Sequence, residues 1–317
     1  MNYPRIVVTG SLAFDHIMTM PGKFKDHIMP DKIHAINVSF IMNSFRNEFG
    51  GTGGNMAYSL AQLETPTLLV GSAGNDFAKY SQHLTAQKLI DLKGVSEHSG
   101  MTSAQGFVMT DVDDNQIWGF FEGAMKEEVH ISIKEMLDKG DFLIVGPTNP
   151  VAMMQFVRDA IAKKVPYMFD PAFNITHFSS QDLSLAIDSC EILIGNDYEI
   201  ELIRRTIRVP DNEFFNADRI VVTTLGSEGS VVRKGQQEFK IEVAKVETVL
   251  DPTGAGDAYR AGFLAGYTRE LDLETCAQMA SVNGAYAVEN NGTQNHNFTL
   301  DEFKERFKDN YGKDLSL

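Results

Sequence analysis

Short apolar runs alternate with amphipathic stretches along most of the chain. Runs of four to eight residues rich in Val, Ile and Leu predict buried strands at 5–10, 67–74, 141–147, 166–171, 191–196 and 219–226. Apolar residues at helical spacing predict helices at 53–64, 76–92, 150–164, 261–270 and 273–289. In the first of these helices, Met56, Leu60 and Leu63 share one face.

This order of elements predicts the fold class. Strands that alternate with helices and are apolar on both faces are typical of an α/β protein. We therefore expect a mostly parallel central sheet with helices on both faces. Ligands of such folds bind at the carboxyl ends of the strands, so chemistry is sought in the loops that follow them.

Two stretches break the alternation. Residues 16–49 show strand-like alternation without a clear helix, and 102–122 contain two apolar runs around the polar turn DVDDN, which predicts a hairpin. Both favour a small β-sheet lid beside an α/β core of residues 1–15, 50–101 and 123–317. An edge extension of the main sheet is the alternative interpretation.

Composition narrows the partners and the compartment. The 317 residues carry a formal net charge of -15, which disfavours nucleic acid as a partner, although an acidic surface also simply keeps a protein soluble. Two cysteines, expected to be buried thiols, give no disulfide framework. The start resembles no signal peptide and no apolar run is long enough to span a membrane, so we expect a cytoplasmic protein without membrane contact.

A glycine-rich stretch precedes the first predicted helix. In EFGGTGGNMAYSL, Gly51 and its neighbours allow close approach of a ligand, and Asn55 lies where the helix opens. The spacing matches neither a dinucleotide fingerprint nor a Walker loop. Taken alone, the stretch is equally compatible with a flexible turn.

An aspartate follows the first predicted strand. Asp15, in GSLAFDH, belongs at the carboxyl end of the sheet and can accept hydrogen bonds from two neighbouring hydroxyls, as on a sugar. A loop or helix-cap aspartate is the alternative.

The stretch DPTGAGDAYRAGF, at 251–263, carries the most chemistry. Gly254, Ala255 and Gly256 present N–H groups at a helix start, where developing negative charge is stabilised. Asp257 follows in the first turn, either as a charge favourable to the helix or as a base that takes a proton from an attacking hydroxyl. Anion donors beside a carboxylate suit phosphoryl transfer.

These motifs identify a resemblance. GGTGGN followed by DPTGAGDAYRAGF is similar to the ribokinase-like (PfkB) carbohydrate and nucleoside kinases, and GSLAFDH, NDYE, TTLGSEG and NGTQ follow in family order across the chain. The variant most resembles the bacterial-type adenosine kinases. The resemblance implies a ribokinase-like fold and an ATP-dependent kinase.

The resemblance also implies roles for individual residues. Asp257 would deprotonate the 5′-hydroxyl, while Gly254, Ala255 and Gly256 would hold the migrating phosphoryl group. The nucleoside would bind Ser11, Asp15, Gly51, Asn55, Phe120 and Phe173. ATP would bind Asn196, Thr224, Gly226 and Asn283, with the NGTQ loop beside the adenine.

Cations and assembly follow from the same resemblance. Mg²⁺ would accompany ATP and be organised through water by Glu199, in the N-x-x-E of NDYE, although Asn196 and Glu199 also form a good helix-capping box. Asp251, Thr253 and Gly292 stand where some families of this fold bind a monovalent cation such as K⁺. A homodimer through the lid is also implied.

Several positions bear on which residues would contact the nucleobase. Phe120 is the first candidate for stacking on a nucleobase, before Phe107 and Trp118, and packing inside the lid or a dimer contact is the alternative. Paired glutamines that such adenosine kinases carry near the base are replaced here by Phe173 and Asn174. Arg260 is either a phosphate contact or an ion-paired helix residue.

The sequence thus favours transfer of the γ-phosphate of ATP to the 5′-hydroxyl of a nucleoside, with adenosine first. A ribokinase or other sugar kinase, or a nucleoside kinase of broader specificity, is the runner-up. A non-catalytic relative is disfavoured by the intact anion motif with Asp257. A nicotinamide dehydrogenase is disfavoured because no G-x-G-x-x-G follows the first strand.

Overall fold

The computed structural model describes residues 5–35, 37–113, 115–215 and 218–317. Strands of these residues form two sheets, one of nine strands and one of four. The strands are β1 (Ile6–Thr9), β2 (Ala13–Thr19), β3 (Ser44–Gly50), β4 (Thr67–Gly74), β5 (Ile90–His98), β6 (Ala104–Thr110), β7 (Gln116–Phe121), β8 (Phe142–Val145), β9 (Tyr167–Phe169), β10 (Ile192–Asn196), β11 (Ile220–Thr224), β12 (Ser230–Lys234) and β13 (Gln237–Ile241).

The α-helices of the described residues mostly follow the strands of the larger sheet. They are α1 (Thr52–Gln62), α2 (Ala78–Thr85), α3 (Pro150–Lys163), α4 (Ser180–Ser189), α5 (Asp197–Ile207), α6 (Asp211–Phe215), α7 (Ala255–Tyr267), α8 (Leu273–Val288) and α9 (Leu300–Tyr311).

The larger sheet has the order β13-β12-β11-β10-β9-β8-β1-β4-β5. Its pairs are parallel from β5 to β11, and the pairs β11–β12 and β12–β13 are antiparallel. Because the parallel strands all point the same way, the loops that follow β1, β8, β9, β10 and β11 meet at one edge. This is the expected α/β fold.

Alternate residues of each strand enter one of two cores. In β1, Ile6 and Val8 pack with α1, α7, α8 and α9 on one face, whereas Val7 packs with α3, α4 and α5 on the other. The sheet is therefore covered by helices on both faces, which explains why its strands read as continuous apolar runs.

The smaller sheet has the order β3-β2-β6-β7 and lies beside the core. Its strands fall in or next to 16–49 and 102–122, but β2 already begins at Ala13 and β3 continues to Gly50. Both strands thus lead directly from the core into this sheet. The division into a core and a lid that closes stays a prediction.

One element differs from its prediction. The helix expected at 76–92 ends at Thr85, and β5 begins at Ile90. Lys88 lies between them with φ +64°, a left-handed conformation through which an α-helix cannot continue. The following apolar positions then pair with β4 at the edge of the sheet.

The fold also bears on the cysteines and on membrane-spanning helices. Cys190 and Cys276 are both buried free thiols, as expected. No helix within the described ranges combines the length and the apolar character needed to cross a bilayer.

Candidate active site

A cavity of about 390 Å³ opens where the two sheets meet. It brings together residues that lie far apart in the sequence. Its lining comprises Ser11, Ala13, Asp15, Gly51, Thr52, Asn55, Trp118, Phe120, Met125, Pro147, Phe173, Thr253, Gly254 and Asp257. All six predicted nucleoside-binding residues and the predicted base therefore border one space.

Asp15 projects into this cavity from β2. Glycines flank it, because a Cβ at Gly106 would lie 2.5 Å from its Oδ1 and a Cβ at Gly50 would lie 2.1 Å from its Oδ2. The side chain is only 9% exposed. Among the described residues, no donor is hydrogen-bonded to its carboxylate, so its oxygens are available to a ligand. Burial and the nearby charge of Asp257 raise the pKa of Asp15 to about 6.

The start of α1 is packed closely against the end of β1. Gly51 has φ +85°, and a Cβ there would lie 2.4 Å from the carbonyl oxygen of Ser11. The Thr52 N–H donates to the Ser11 hydroxyl at 3.1 Å. The glycines are therefore required by the backbone approach, and the turn is fixed in place by its contacts.

Asn55 connects α1 to the predicted base. Its amide nitrogen donates to Oδ2 of Asp257 at 2.8 Å. Its amide oxygen accepts from the Thr293 hydroxyl at 2.6 Å and from Nε2 of Gln294 at 2.9 Å. These two donors fix the orientation of the amide, so that its N–H₂ group faces the carboxylate. The sequence suggested no role in positioning Asn55 for Thr293 or Gln294.

Helix α7 begins at the floor of the cavity. Gly254 has φ +80° and forms its N-cap, where a Cβ would lie 2.8 Å from the Thr293 side chain. The first N–H groups of a helix have no partner within it. However, the Ala255 N–H donates to the Pro252 carbonyl at 3.3 Å. Gly254 and Gly256 are therefore better placed than Ala255 to donate to an anion.

Asp257 lies in the first turn of α7. Burial raises its pKa to about 6, while the charge of Arg260 and the hydrogen bond from Asn55 act in the opposite direction. A carboxylate with a pKa just below neutrality is ionised at physiological pH and still basic enough to take a proton.

The part of the cavity formed by the lid is aromatic. Trp118 and Phe120 point from β7 to the same side of the lid as Asp15, and Phe173 faces them from the core. Phe120 is 49% exposed and Phe173 is 65% exposed, so both rings are open to a ligand. A Cβ at Gly106 would lie 3.3 Å from the Trp118 ring, so the glycine makes room for that ring.

Two residues considered for the base pocket lie elsewhere. Phe107 is on the outer face of the lid, where its ring stacks on His16 with centroids 4.7 Å apart. Asn174 is buried and donates to the Thr148 carbonyl at 2.7 Å. Neither of these side chains lines the cavity.

Asn196 and Glu199 form the capping box of α5. The Glu199 N–H donates to Asn196 at 2.8 Å, and the Asn196 N–H donates to Glu199 at 2.8 Å. Burial raises the pKa of Glu199. A carboxylate that accepts one such bond keeps free lone pairs at the carboxyl end of β10. The pair therefore fits water-mediated contact with a magnesium ion, and a structural role holds at the same time.

The residues predicted to bind ATP divide into two groups. Thr224 ends β11 and Gly226 follows with φ +58°, at the same edge of the sheet as the cavity. Asn283 is 0% exposed and donates to the Ala258 carbonyl at 2.7 Å, between α7 and α8. Its side chain therefore lies between the two helices rather than in a loop at the edge of the sheet, and its contact with ATP stays a prediction.

The NGTQ loop contacts the start of α1. Thr293 and Gln294 donate to Asn55, and the Thr293 hydroxyl also lies 2.9 Å from the Phe49 carbonyl. The loop therefore supports the substrate end of the cavity. A place for this loop beside the adenine stays a prediction.

Asp251 organises the loop before α7. It accepts from the Thr253 N–H at 3.0 Å and from the Gly292 N–H at 3.1 Å, and Arg46 approaches it to 3.9 Å. An arginine beside the carboxylate supplies positive charge that a monovalent cation would otherwise bring. The described residues contain no cluster of three or more His, Cys, Asp or Glu side chains suited to a metal ion.

Arg260 is ion-paired, the second of its two predicted roles. It is 8% exposed and donates to both carboxylate oxygens of Asp170, which follows β9. A third donor reaches the Gly256 carbonyl at 2.9 Å. The sequence did not identify Asp170. An arginine within a buried helix needs a carboxylate, but nothing local says which one.

The sequence pattern of the pfkB family carbohydrate kinases matches residues 6–299. The chain belongs to this family. A nucleoside kinase of Methanothermobacter thermautotrophicus is 32% identical over 323 residues, which cover 97% of this chain and 96% of that protein. The fold is ribokinase-like, and the chain is an ATP-dependent kinase.

Solved structures of nucleoside kinases are also similar to this chain. The Burkholderia thailandensis nucleoside kinase in complex with inosine has a TM-score of 0.89 and 31% identity, covering 98% of this chain and 99% of its own. The nucleoside kinase of Methanocaldococcus jannaschii, described as an archaeal member of the ribokinase family, has a TM-score of 0.86 and 26% identity, covering 96% and 98%.

Proposed function

We propose that this kinase transfers the γ-phosphate of ATP to the 5′-hydroxyl of a nucleoside, with adenosine as the first substrate to test. One observation carries the proposal. A single cavity holds a buried carboxylate, Asp15, to which none of the described residues donates, a second carboxylate at a helix start, Asp257, and open aromatic rings. These groups match a ribose diol, a reacting hydroxyl and a base, respectively.

The aromatic part of the cavity favours a nucleoside over a free sugar. Trp118, Phe120 and Phe173 lie beyond the sugar-binding carboxylate and offer stacking surface that ribose cannot use. Stacking on a ring does not depend on one pattern of donors and acceptors. We therefore expect inosine and other nucleosides to be accepted beside adenosine. The nucleoside kinases of similar sequence and structure support this substrate class.

In the proposed mechanism, Asp15 binds the 2′- and 3′-hydroxyls and places the 5′-hydroxyl near Asp257. Asp257 takes the proton as that oxygen attacks, and Asn55 holds the carboxylate in position. The N–H groups of Gly254 and Gly256 stabilise charge on the transferred group. The lid excludes water and so limits hydrolysis of ATP.

Asn196, Glu199, Thr224 and Gly226 are proposed to hold the nucleotide and its magnesium ion. When bound, Mg²⁺ neutralises charge on the phosphates. A dependence on K⁺ at Asp251, Thr253 and Gly292 is less favoured because Arg46 already faces Asp251. Turnover measured with K⁺ replaced by a bulky organic cation would test that point.

The proposed function is tested by ADP release with Mg²⁺ and ATP on adenosine, inosine, guanosine, cytidine, ribose and fructose. Turnover on nucleosides with little on the free sugars supports it. Turnover on ribose or fructose alone would contradict it and indicate a sugar kinase.

We expect Phe120→Ala to raise KM for nucleosides about tenfold, because aromatic stacking contributes roughly 1–3 kcal/mol per base. KM for ribose, if ribose is a substrate, should not change. Phe120→Leu is the matched control, since it keeps an apolar side chain but removes the aromatic ring. Equal KM values for the wild type and Phe120→Ala would show that Phe120 does not stack on the base.

A homodimer through the lid is also proposed. The outer face of the lid exposes Phe45, Phe107, Ile117 and Phe121. Exposed apolar side chains grouped on one face often mark a protein–protein interface. Sedimentation should give twice the mass of one chain, and Phe45→Asp should give the monomer. A wild-type monomer at micromolar concentration would rule the proposal out.

A further inference from the structure

Arg260 lies on α7, three residues after Asp257 and near the start of the helix, where the reaction is proposed to occur. Its guanidinium group divides its donors between two partners. Nε and one terminal nitrogen bind Asp170, and the other terminal nitrogen binds the Gly256 carbonyl at 2.9 Å. The bidentate pair holds the guanidinium plane in one orientation. The third bond then fixes one peptide of the turn that carries the anion donors.

The same cation is surrounded by acidic groups. Asp257 and Arg260 are both on α7, Asp170 follows β9, and Glu199 is on α5. The electrostatic effects on Arg260 come from Asp170, Asp257 and Glu199, and all three stabilise its charged form. Arg260 is thus a buried cation whose charge lowers the pKa of Asp257, against the effect of burial.

The charged groups that face Asp257 come from three elements. Arg260 on α7 favours its ionised form, as does the neutral donor Asn55 on α1. Asp170 disfavours ionisation, and Asp15 on β2 interacts with Asp257 by like-charge repulsion. Arg260 is the only cation in this set.

We propose that Arg260, held by Asp170, is a positioning residue for phosphoryl transfer. Its bond to the Gly256 carbonyl fixes the Gly256–Asp257 peptide, which joins the proposed anion donors to the base, and its charge keeps Asp257 in the basic form. The proposal rests on the assignment of Asp257 as the base. It differs from a direct contact with phosphate, because here Arg260 acts through the peptide and the carboxylate that it holds.

A purely structural ion pair would affect stability but not the pH dependence of the chemical step. The rate of phosphoryl transfer should therefore be measured in single turnovers as a function of pH. Removing a positive charge beside a carboxylate raises the pKa of that carboxylate. The rate falls at low pH as Asp257 becomes protonated, and this fall is called the acid limb. In the variant, the acid limb should move to higher pH.

For Arg260→Gln we expect this limb to rise by about one pH unit. The rate at the plateau should fall about 10–100-fold, because small displacements of reacting groups have effects of this size. KM for the nucleoside should stay within about threefold, since the interaction acts in the transition state.

The double variant Asp170→Asn with Arg260→Gln guards against misfolding, because it leaves no unpaired buried charge. Its limb should shift in the same direction by less, since the opposing charge of Asp170 is removed too. Arg260→Lys should restore the position of the limb but not the full rate, because an ammonium group cannot form the fork and the Gly256 bond together.

Arg306 and Glu289 provide a matched control. They form another partly buried bidentate pair, with N···O distances of 2.7 Å, between α9 and the end of α8. Arg306→Gln with Glu289→Gln should lower Tm and leave the acid limb unchanged.

The proposal is overturned if the Arg260 variants match this control, with an unmoved limb and no larger fall in rate. The order of limb positions is equally decisive: Arg260→Gln highest, the double variant next, and Arg260→Lys close to the wild type. Asp257→Asn distinguishes an error in the proposed base from an error in the proposed role of Arg260. If that variant keeps turnover, Asp257 is not the base, and the role of Arg260 that depends on it is also wrong. If it is inactive while the Arg260 variants match the control, only the role of Arg260 fails.

Discussion

Asp257→Asn is expected to reduce kcat by about 10²–10⁴-fold, the usual contribution of a general base. The substitution keeps the size of the side chain and its contact with Asn55, but an amide cannot take the proton of the 5′-hydroxyl. KM for the nucleoside should change little. We expect the fold to persist, because burial already disfavours the ionised carboxylate at this position.

The pH dependence of the wild type provides a second test of Asp257. Its pKa is raised to about 6, so transfer should be fast above this pH and fall as the carboxylate is protonated below it. The residual rate of Asp257→Asn should lack this limb. Circular dichroism and Tm serve as the folding control. Near-normal turnover in a folded variant would refute the assignment of the base.

The sequence predicted those parts of the molecule that depend on local patterns. The strands of the larger sheet from β1 to β11 have continuous apolar runs, apart from β5, and the helix starts at Gly51 and Gly254 have the glycines their backbones need. The rule that parallel strands end at one edge then places Asp15 and Asp257 together, although 242 positions separate them.

What the sequence could not supply was the choice of long-range partners. Arg260 binds Asp170, which lies 90 positions away, and Asn283 binds a carbonyl of the neighbouring helix. Each contact depends on how α7 packs against the sheet or α8. The start of strand β5 was missed because its first apolar positions continue the helical spacing of the preceding stretch, and the turn at Lys88 that separates the two elements has no sequence signal.

The shape of the base pocket also depends on contacts that a local sequence pattern does not reveal. Gly106, on β6 of the lid, has no side chain with which to contact a base. In the structure, it leaves space for the Asp15 carboxylate and for the Trp118 ring. The neighbouring strand thus supplies the ring that the glycine lacks. Pairing across β6 and β7, in which Gly106 faces Phe120, decides this and is invisible to a local pattern.

Asp15→Asn is expected to raise KM for adenosine by about 10–100-fold, because hydrogen bonds to a charged group contribute roughly 1.5–3 kcal/mol. The more specific result concerns deoxynucleosides. The wild type should use adenosine better than 2′-deoxyadenosine or 3′-deoxyadenosine, since each analogue lacks one donor to the carboxylate. In Asp15→Asn this preference should shrink, because the charged acceptor is gone from both sides of the comparison.

Two controls make this result specific to the ribose. KM for ATP should not change in Asp15→Asn. The variant should also fold, because burial and the charge of Asp257 already raise the pKa of Asp15 to about 6, and a neutral amide avoids both effects. Below that pH the wild type should itself lose part of its preference for adenosine, as Asp15 becomes protonated. A preference that persists undiminished in Asp15→Asn would mean that another group binds the diol and that Asp15 serves the lid alone.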